Sequence, residues 1–349
     1  MKLTDIEKRE YDRYFSYYDF SKEFANKTFL VTGAKGLLGQ GIIKWLLYCN
    51  ELYNSNIRII ASTRDPKSIP NYIEKNNTIE YCEFLKEADC CKNINIDYVV
   101  HCATPTGKDA FTKTPYETLL VIIDGTRELI NLCINQKEKG HICKMVYVSS
   151  EEVYGAVNSD RNIDEKYVGS IDSLNNRSCY PLGKKIAELM CHAAVNEYGI
   201  DISIVRPTVI FGLFQKYDWD RIESEILRCI IENKDLILKT KGLTKKSVVY
   251  SLDVVSAIFI LLLHGIAGEA YNVTNTSSYD TIVNNANKLF NMFNNNCKVV
   301  FDIQDSNMNN LFIAKRELLM NVGKIESLGW KTITNLEDIY KIDIQRFNK

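Results

Sequence analysis

Three residues with side chains able to act on an alcohol are spaced so that they could meet in one site. Tyr180 and Lys184 are four residues apart and would share one face of a helix. A nearby ammonium group stabilises phenolate and lowers the pKa of tyrosine, which makes it usable as a base near neutral pH. Ser150 follows an expected strand, and its hydroxyl could hydrogen-bond the same substrate oxygen. Alone, the tyrosine–lysine spacing is common and usually structural.

A glycine-rich segment lies upstream of Ser150, Tyr180 and Lys184 and favours a functional interpretation of these three residues. Gly33, Gly36 and Gly39 follow a short β-rich run and open a helical stretch. Glycines let the backbone approach a pyrophosphate, and the helix start offers free N–H groups, here at Leu37 and Leu38. A turn that merely packs tightly is the alternative, but strand, turn and helix stand in the required order.

The residues at the end of the second expected strand do not decide between NAD and NADP. An acidic residue there would bind the ribose hydroxyls of NAD. The sequence instead has Thr63 followed by Arg64. Arg64 could bind the 2′-phosphate of NADP, or it could be a solvated loop arginine.

The elements that must position these residues alternate regularly through the first part of the chain. Strands and helices in this order predict a Rossmann-type α/β fold with a doubly wound parallel sheet. The expected strands are 28–31, 57–62, 97–102, 144–149 and 201–206, and the expected helices run to about residue 52, over 116–136 and over 181–197.

The rhythm weakens after residue 211, which predicts a smaller C-terminal α/β lobe over 212–349 that binds substrate. Helices are expected near 219–233, 253–264, 279–293 and 334–347, with strands near 247–250 and 270–273. The dinucleotide-binding domain is then 27–211, although the chain could cross back between lobes. Residues 1–26 predict an amphipathic helical extension that packs on the body, with a partner-binding arm as the alternative.

Composition excludes several classes of protein. Lys and Arg number 43 against 44 Asp and Glu, so there is no basic excess for nucleic-acid binding. The 11 cysteines follow no metal-site spacing, so we expect reduced thiols, no metal and a cytoplasmic protein. The most apolar stretch, 257–265, is far shorter than a membrane span.

The motifs together resemble the extended short-chain dehydrogenase/reductases, in the nucleotide-sugar epimerase/dehydratase/decarboxylase group. The segments that carry the resemblance are 31–39, 97–103, 125–126, 148–155, 180–184, 206–207, 253–255, 271–273 and 328–330. The resemblance implies bound NAD, with NADP as the alternative, and a nucleotide-sugar substrate. It also implies cofactor contacts from Ala103, Thr104, Tyr180 and Lys184, and substrate contacts from Thr104, Ser150 and Lys246. A homodimer through helices 116–136 and 181–197 is implied as well.

Two details narrow the resemblance to a subgroup. The run 177–180, followed by Gly183-Lys184 and then Ala187-Glu188, is similar to that of UDP-glucuronate decarboxylases (UDP-xylose synthases). Glu152 matches an acid of decarboxylases and 4,6-dehydratases, and Glu151 stands where many dehydratases have Asp. Glu151 is therefore expected to donate a proton, or else to be a solvated loop carboxylate.

The resemblance has departures that concern the substrate more than the fold. Lys246 replaces the Arg that usually contacts the nucleotide diphosphate, Thr63 replaces the ribose-binding acid, and Ile122 stands where Asn is frequent. The expected reaction begins with oxidation at sugar C4 and continues as decarboxylation or dehydration. A 4-epimerase is the alternative, and a non-catalytic cofactor-binding protein is disfavoured by retention of Tyr180 and Lys184.

Overall fold

A parallel sheet of seven strands is the main feature of the computed structural model, which describes residues 3–67, 78–293, 296–303 and 317–348. Its strands are β1 Thr28–Thr32, β2 Arg58–Thr63, β3 Ile79–Glu83, β4 Tyr98–His101, β5 Lys144–Val148, β7 Asp201–Pro207 and β12 Ala270–Val273. They lie in the order β12-β7-β5-β4-β1-β2-β3. The predicted Rossmann-type sheet is therefore confirmed, with β3 as a strand that the pattern did not predict.

Helices cover both faces of this sheet. The N-terminal and central helices are α1 Asp5–Phe15, α2 Leu37–Tyr53, α3 Glu87–Cys90, α4 Lys108–Thr112, α5 Pro115–Glu138 and α6 Cys179–Tyr198. The others are α7 Ile222–Glu232, α8 Ser251–His264, α9 Ile282–Phe293, α10 Gly323–Glu326 and α11 Leu336–Phe347. Within β1, Phe29 and Val31 face the core that includes α2 and α8, whereas Leu30 faces the core under α5 and α6. An uninterrupted apolar strand is thus buried on both sides.

The order of strands places a crevice beside β1. The chain leaves β1 towards β2 on one side and later returns to form β4 on the other. Ligands of doubly wound sheets bind outside the carboxyl ends of the strands at such a reversal. The residues that follow β1 and β4 therefore define where the site must be.

The smaller sheets cross the predicted lobe boundary near residue 211. A four-stranded sheet has the order β13-β10-β15-β6, with β6 Asn158–Ile163, β10 Lys245–Lys246, β13 Asp280–Thr281 and β15 Glu317–Met320. Two further pairs join β8 Val209–Phe211 to β11 Val248–Tyr250, and β9 Leu236–Leu238 to β14 Val299–Phe301. Since β12 joins the large sheet and β6 joins the small one, the chain passes between the lobes on both sides of residue 211.

The N-terminal extension packs against the outside of α2. Helix α1 begins with a capping box between Thr4 and Glu7. Phe15 stacks on buried Trp45 with ring centroids 5.2 Å apart, and Tyr11 donates a hydrogen bond of 3.0 Å to the Gly41 carbonyl. The extension is therefore part of the core in this chain.

Candidate active site

The turn between β1 and α2 leaves room for a ligand against bare backbone. Gly33 has φ +66°, and a Cβ there would lie 2.9 Å from the Ala103 nitrogen. A Cβ at Gly39 would overlap the Gly33 backbone. Gly36 is the N-cap of α2 and supplies no side-chain cap, so the first-turn N–H groups at Leu37 and Leu38 have no intrahelical acceptor. This cradle fits the pyrophosphate of a dinucleotide.

The ends of β1 and β4 are tied together beside that turn. Thr32 Oγ1 lies 2.8 Å from His101 Nδ1 and accepts a 3.1 Å hydrogen bond from the Ala103 N–H. Burial, reinforced by the Lys184 charge, lowers the pKa of His101 to about 3, so the imidazole is neutral. His101 therefore positions backbone at the crevice and does not transfer protons near neutral pH.

The end of β2 presents a hydroxyl and a guanidinium. Thr63 is buried at the end of the strand, and Arg64 follows it on the exposed surface. A buried carboxylate at the same edge was not found from the sequence: Glu87 accepts a 2.5 Å hydrogen bond from Ser62 Oγ. Burial raises the pKa of Glu87, with the Ser62 hydrogen bond opposing that rise.

Helix α6 brings Tyr180 and Lys184 to the carboxyl end of β5. Lys184 Nζ donates hydrogen bonds of 2.8 Å to Thr104 Oγ1 and 2.6 Å to the Val148 carbonyl. Ser150 follows β5, and its hydrogen bond to Tyr180 acts to lower the pKa of the phenol. The structure therefore gathers Ser150, Tyr180, Lys184 and Thr104 in one place.

The pKa of Tyr180 differs from what the sequence predicts. Burial, followed by the nearby Glu152 carboxylate, raises it to about 12. Lys184 was expected to lower it, but the Lys184 ammonium donates its hydrogen bonds to Thr104 and Val148, and burial lowers the pKa of Lys184 itself to about 7. Near neutral pH the lysine is only partly charged, which weakens its stabilisation of a phenolate.

A second acid and a cation lie next to the tyrosine. Arg177 Nη2 donates to Glu152 Oε1 at 2.9 Å, and the guanidinium carbon is 4.4 Å from the centroid of the Phe111 ring. That ring is 5.0 Å from the Tyr180 ring. Glu151 is only 8% exposed, so it is not a solvated loop carboxylate. Phe111 and the pairing of Arg177 were not found from the sequence.

Glu188 and Arg206 form a buried polar network with Ser149, the residue before Ser150. Ser149 Oγ donates to Glu188 Oε1 at 2.5 Å, and the Arg206 guanidinium holds both carboxylate oxygens of Glu188 at 2.9 and 2.6 Å. Glu188 stands four residues after Lys184, on the same helix face as Tyr180 and Lys184. The spacing of Lys184 and Glu188 is visible in the sequence, but it did not predict what Glu188 does.

Lys246 lies on the small sheet and is paired internally. Its ammonium forms an ion pair with Glu223 in the first turn of α7, and the Glu223 side chain is 5% exposed. Arg221 is the N-cap residue of α7, and its guanidinium carbon lies 4.2 Å from the Trp219 ring centroid. Arg221 also acts on Tyr180, where its charge lowers the pKa of the phenol.

The described part of the chain contains neither a metal-binding cluster nor a membrane-spanning helix. Within residues 3–67, 78–293, 296–303 and 317–348, no group of three or more His, Cys, Asp or Glu side chains is arranged to hold a metal ion. The same residues contain no helix with the length and apolar character of a membrane span.

Comparison with known proteins identifies similar sequences and folds. A family model described as the NAD dependent epimerase/dehydratase family matches residues 29–274, well over half of the chain. The chain is 22% identical over 353 residues to UDP-glucuronic acid decarboxylase 1 of Xenopus tropicalis, covering 100% of this chain and 78% of that protein. It is 25% identical over 344 residues to the dTDP-D-glucose 4,6-dehydratase of Mus musculus, covering 93% and 89%.

A solved epimerase shares the fold over almost its whole length. The epimerase from Methanothermobacter thermautotrophicus matches with a TM-score of 0.76 at 19% identity, covering 95% of this chain and 94% of that one. At this identity the likeness concerns the fold.

Proposed function

Because the chain belongs to the NAD-dependent epimerase/dehydratase family of enzymes, we propose that it is a nucleotide-sugar lyase that works through transient oxidation at sugar C4. The Gly33–Gly36–Gly39 turn would hold the pyrophosphate of NAD(P), and Lys184 with Thr104 would bind near the nicotinamide end. Arg64 is available for a 2′-phosphate, so the proposal covers NADP as well as NAD.

Tyr180 is the base of the first step. A bound oxidised nicotinamide would supply a hydride acceptor for C4, a hydride donor for the last step, and positive charge in the site. Tyr180 takes the proton of the C4 hydroxyl, while Ser150 hydrogen-bonds the same oxygen. Added positive charge would lower a phenol pKa that burial holds near 12 in the free protein.

The Glu152–Arg177 pair beside Tyr180 is the observation that carries the lyase assignment. A 4-keto sugar with a carboxylate on C5 is a β-keto acid. It loses carbon dioxide when the electrons of the breaking C–C bond move into the C4 carbonyl, and C5 is then protonated. Arg177 suits a substrate carboxylate, and Glu152 suits the proton transfer to C5.

Dehydration is supported by the second acid. If C5 bears a hydroxymethyl group, one carboxylate can remove the C5 proton while an acid protonates the departing C6 hydroxyl. Glu151 and Glu152 follow Ser150 directly, and Glu151 is buried. Simple 4-epimerisation needs neither carboxylate, and its support is the resemblance together with the epimerase-like fold.

A substrate panel tests the proposal. Purified protein is incubated with UDP-, dTDP-, GDP- and CDP-linked glucose and glucuronate, and products are identified by mass spectrometry. Loss of carbon dioxide identifies the decarboxylase and loss of water the dehydratase. An unchanged mass with a new sugar stereochemistry would overturn the lyase assignment in favour of the epimerase.

We also propose a homodimer through α5 and α6. Exposed apolar side chains lie on these helices, with Tyr116 68%, Leu189 65% and Ile186 41% exposed. Closed twofold symmetry is the commonest arrangement of soluble homo-oligomers. Light scattering should give a dimer mass for the wild-type protein and a monomer for Leu189→Glu, and a monomeric wild type would contradict the proposal.

A further inference from the structure

Four cations lie in or near the proposed substrate site, and three of them are held by acceptors. Lys184 binds Thr104 and the Val148 carbonyl, Arg177 pairs with Glu152, and Lys246 pairs with Glu223. Arg221 differs, because its guanidinium forms no hydrogen bond or ion pair with any residue that the structure describes. It stacks on Trp219 and is half-buried.

The ion pair of Lys246 limits what that lysine can offer a substrate. Burial acts to raise the pKa of Glu223, but the Lys246 charge leaves it lowered, so the carboxylate is ionised. Drawing Lys246 away would leave a buried negative charge without its partner, which is strongly destabilising. The pair is electrically neutral as a unit and contributes little net charge towards a diphosphate.

Arg221 stands at the start of α7, in the same turn of chain that supplies Glu223 to Lys246. It lies two residues before Glu223 in the chain, and its charge acts on both the Glu223 carboxylate and the Tyr180 phenol. A nucleotide-sugar with its C4 hydroxyl at Tyr180 must place its diphosphate beyond the sugar ring. A guanidinium can hold two phosphate oxygens with parallel N–H donors, and an aromatic face keeps its plane fixed.

We propose that Arg221 is the principal diphosphate-binding cation of this chain, and that Lys246 is secondary to it. This inference rests on the proposed function, since it assumes a nucleoside-diphosphate substrate. It assigns diphosphate binding to Arg221 at the start of α7, whereas the family resemblance implied this role for Lys246 in β10.

Calorimetric titration of nucleotides into the whole protein tests the assignment. UDP is the first probe, followed by dTDP, GDP and CDP. Arg221→Gln should weaken the diphosphate that binds wild type by about 10- to 100-fold, the range for losing hydrogen bonds to a charged group. The double variant Lys246→Gln/Glu223→Gln, which leaves no buried carboxylate without its partner, should weaken it less. Arg221→Lys should weaken diphosphate binding to an intermediate degree, because lysine keeps the positive charge but lacks the two parallel N–H donors of a guanidinium.

A matched control lies at the other end of the same helix. Lys234→Gln also removes one positive charge, but Lys234 is exposed and pairs with Glu232 at the surface. It should leave nucleotide affinity unchanged. NAD affinity and thermal unfolding of Arg221→Gln should match wild type, because Arg221 makes no side-chain cap to α7.

Three outcomes would overturn the inference in distinguishable ways. If wild type binds none of the four diphosphates and none of their sugar conjugates, the proposed function and this inference fail together. If wild type binds and Arg221→Gln binds equally well, only this inference fails. If Arg221→Gln loses affinity for UDP-glucuronate but not for UDP, Arg221 contacts the sugar carboxylate, and the diphosphate assignment is wrong.

Discussion

Tyr180 lies in surroundings that keep its phenol protonated in the free protein. Burial and the Glu152 carboxylate raise its pKa to about 12, whereas Ser150, Arg221 and Arg177 act in the opposite direction. The charges that favour phenolate are therefore already in place, and burial outweighs them. A base arranged in this way becomes active when further positive charge enters the site.

Tyr180→Phe should abolish most turnover without unfolding the protein. The ring keeps its packing on Phe111, while the proton acceptor is lost. We expect turnover to fall about 10²- to 10⁴-fold, as is typical when general-base catalysis is removed. Steady-state kinetics on the substrate from the panel measures this. Tyr198→Phe, at the exposed end of the same helix, is the control, and full activity of Tyr180→Phe would refute the mechanism.

Glu152→Gln should separate the lyase from the epimerase. The substitution keeps the shape of the side chain but removes the charge paired with Arg177. In a lyase, the step after C4 oxidation slows, so turnover falls and reduced cofactor accumulates, which its ultraviolet absorbance reports. In an epimerase turnover should change little. Normal activity here, combined with an inactive Tyr180→Phe, would move the assignment to the epimerase.

The order of elements around the glycine turn was readable because its signals are local. Gly33, Gly36 and Gly39 stand between a β-rich run and a helical run, and each requirement can be checked within a few residues. The pairing of Lys246 with Glu223 joins residues 23 positions apart in different elements, which spacing does not reveal. Similarly, the pKa of Tyr180 depends on burial, which the sequence alone does not provide.

Gly36→Val should block the cofactor at the cost of a small shift in the turn. Gly36 has φ −77°, which a valine can adopt, and the nearest atom to an added Cβ is the Gly33 oxygen at 3.1 Å. The added methyl groups would then occupy space that the pyrophosphate needs. Calorimetry with NAD and NADP should show no binding to a folded variant. Gly323→Ala, outside the turn, controls for loss of glycine, and wild-type affinity in Gly36→Val would contradict the assignment.

At the scale of the whole molecule, Asp253 joins three distant parts of the chain. Its Oδ1 accepts hydrogen bonds from Tyr14 in α1 at 2.8 Å and from the Ile333 N–H at 2.9 Å. Its own backbone carbonyl accepts from Trp330 Nε1 at 2.9 Å. The sequence predicted that the N-terminal helix packs on the body, but not that a buried carboxyl at the start of α8 holds it there. Such long-range polar contacts have no periodic signature.

Asp253 should also make the stability of the protein depend on pH. Burial raises its pKa to about 7 from an ordinary value of 3.8, with Tyr14, Ile333, Thr334 and Arg13 opposing that rise. Between these values the folded state holds a proton that the unfolded state has released. The contribution of Asp253 to the free energy of unfolding therefore decreases as pH rises from about 4 to about 7, by an amount on the order of a few kcal/mol, and is constant above that range.

Asp253→Asn isolates this contribution, because asparagine resembles the protonated acid and does not titrate. Urea unfolding at several pH values should show the variant gaining stability relative to wild type as pH rises through this window, with a slope of about one proton. Burial raises the pKa of Asp343 to about 6, so Asp343 also makes the free energy of unfolding decrease as pH rises. It does so equally in wild type and variant, and its effect cancels in the difference between the two stability curves. Parallel stability curves would mean that Asp253 is ionised in the folded state throughout, and that Tyr14 and the Ile333 and Thr334 N–H groups bind a carboxylate.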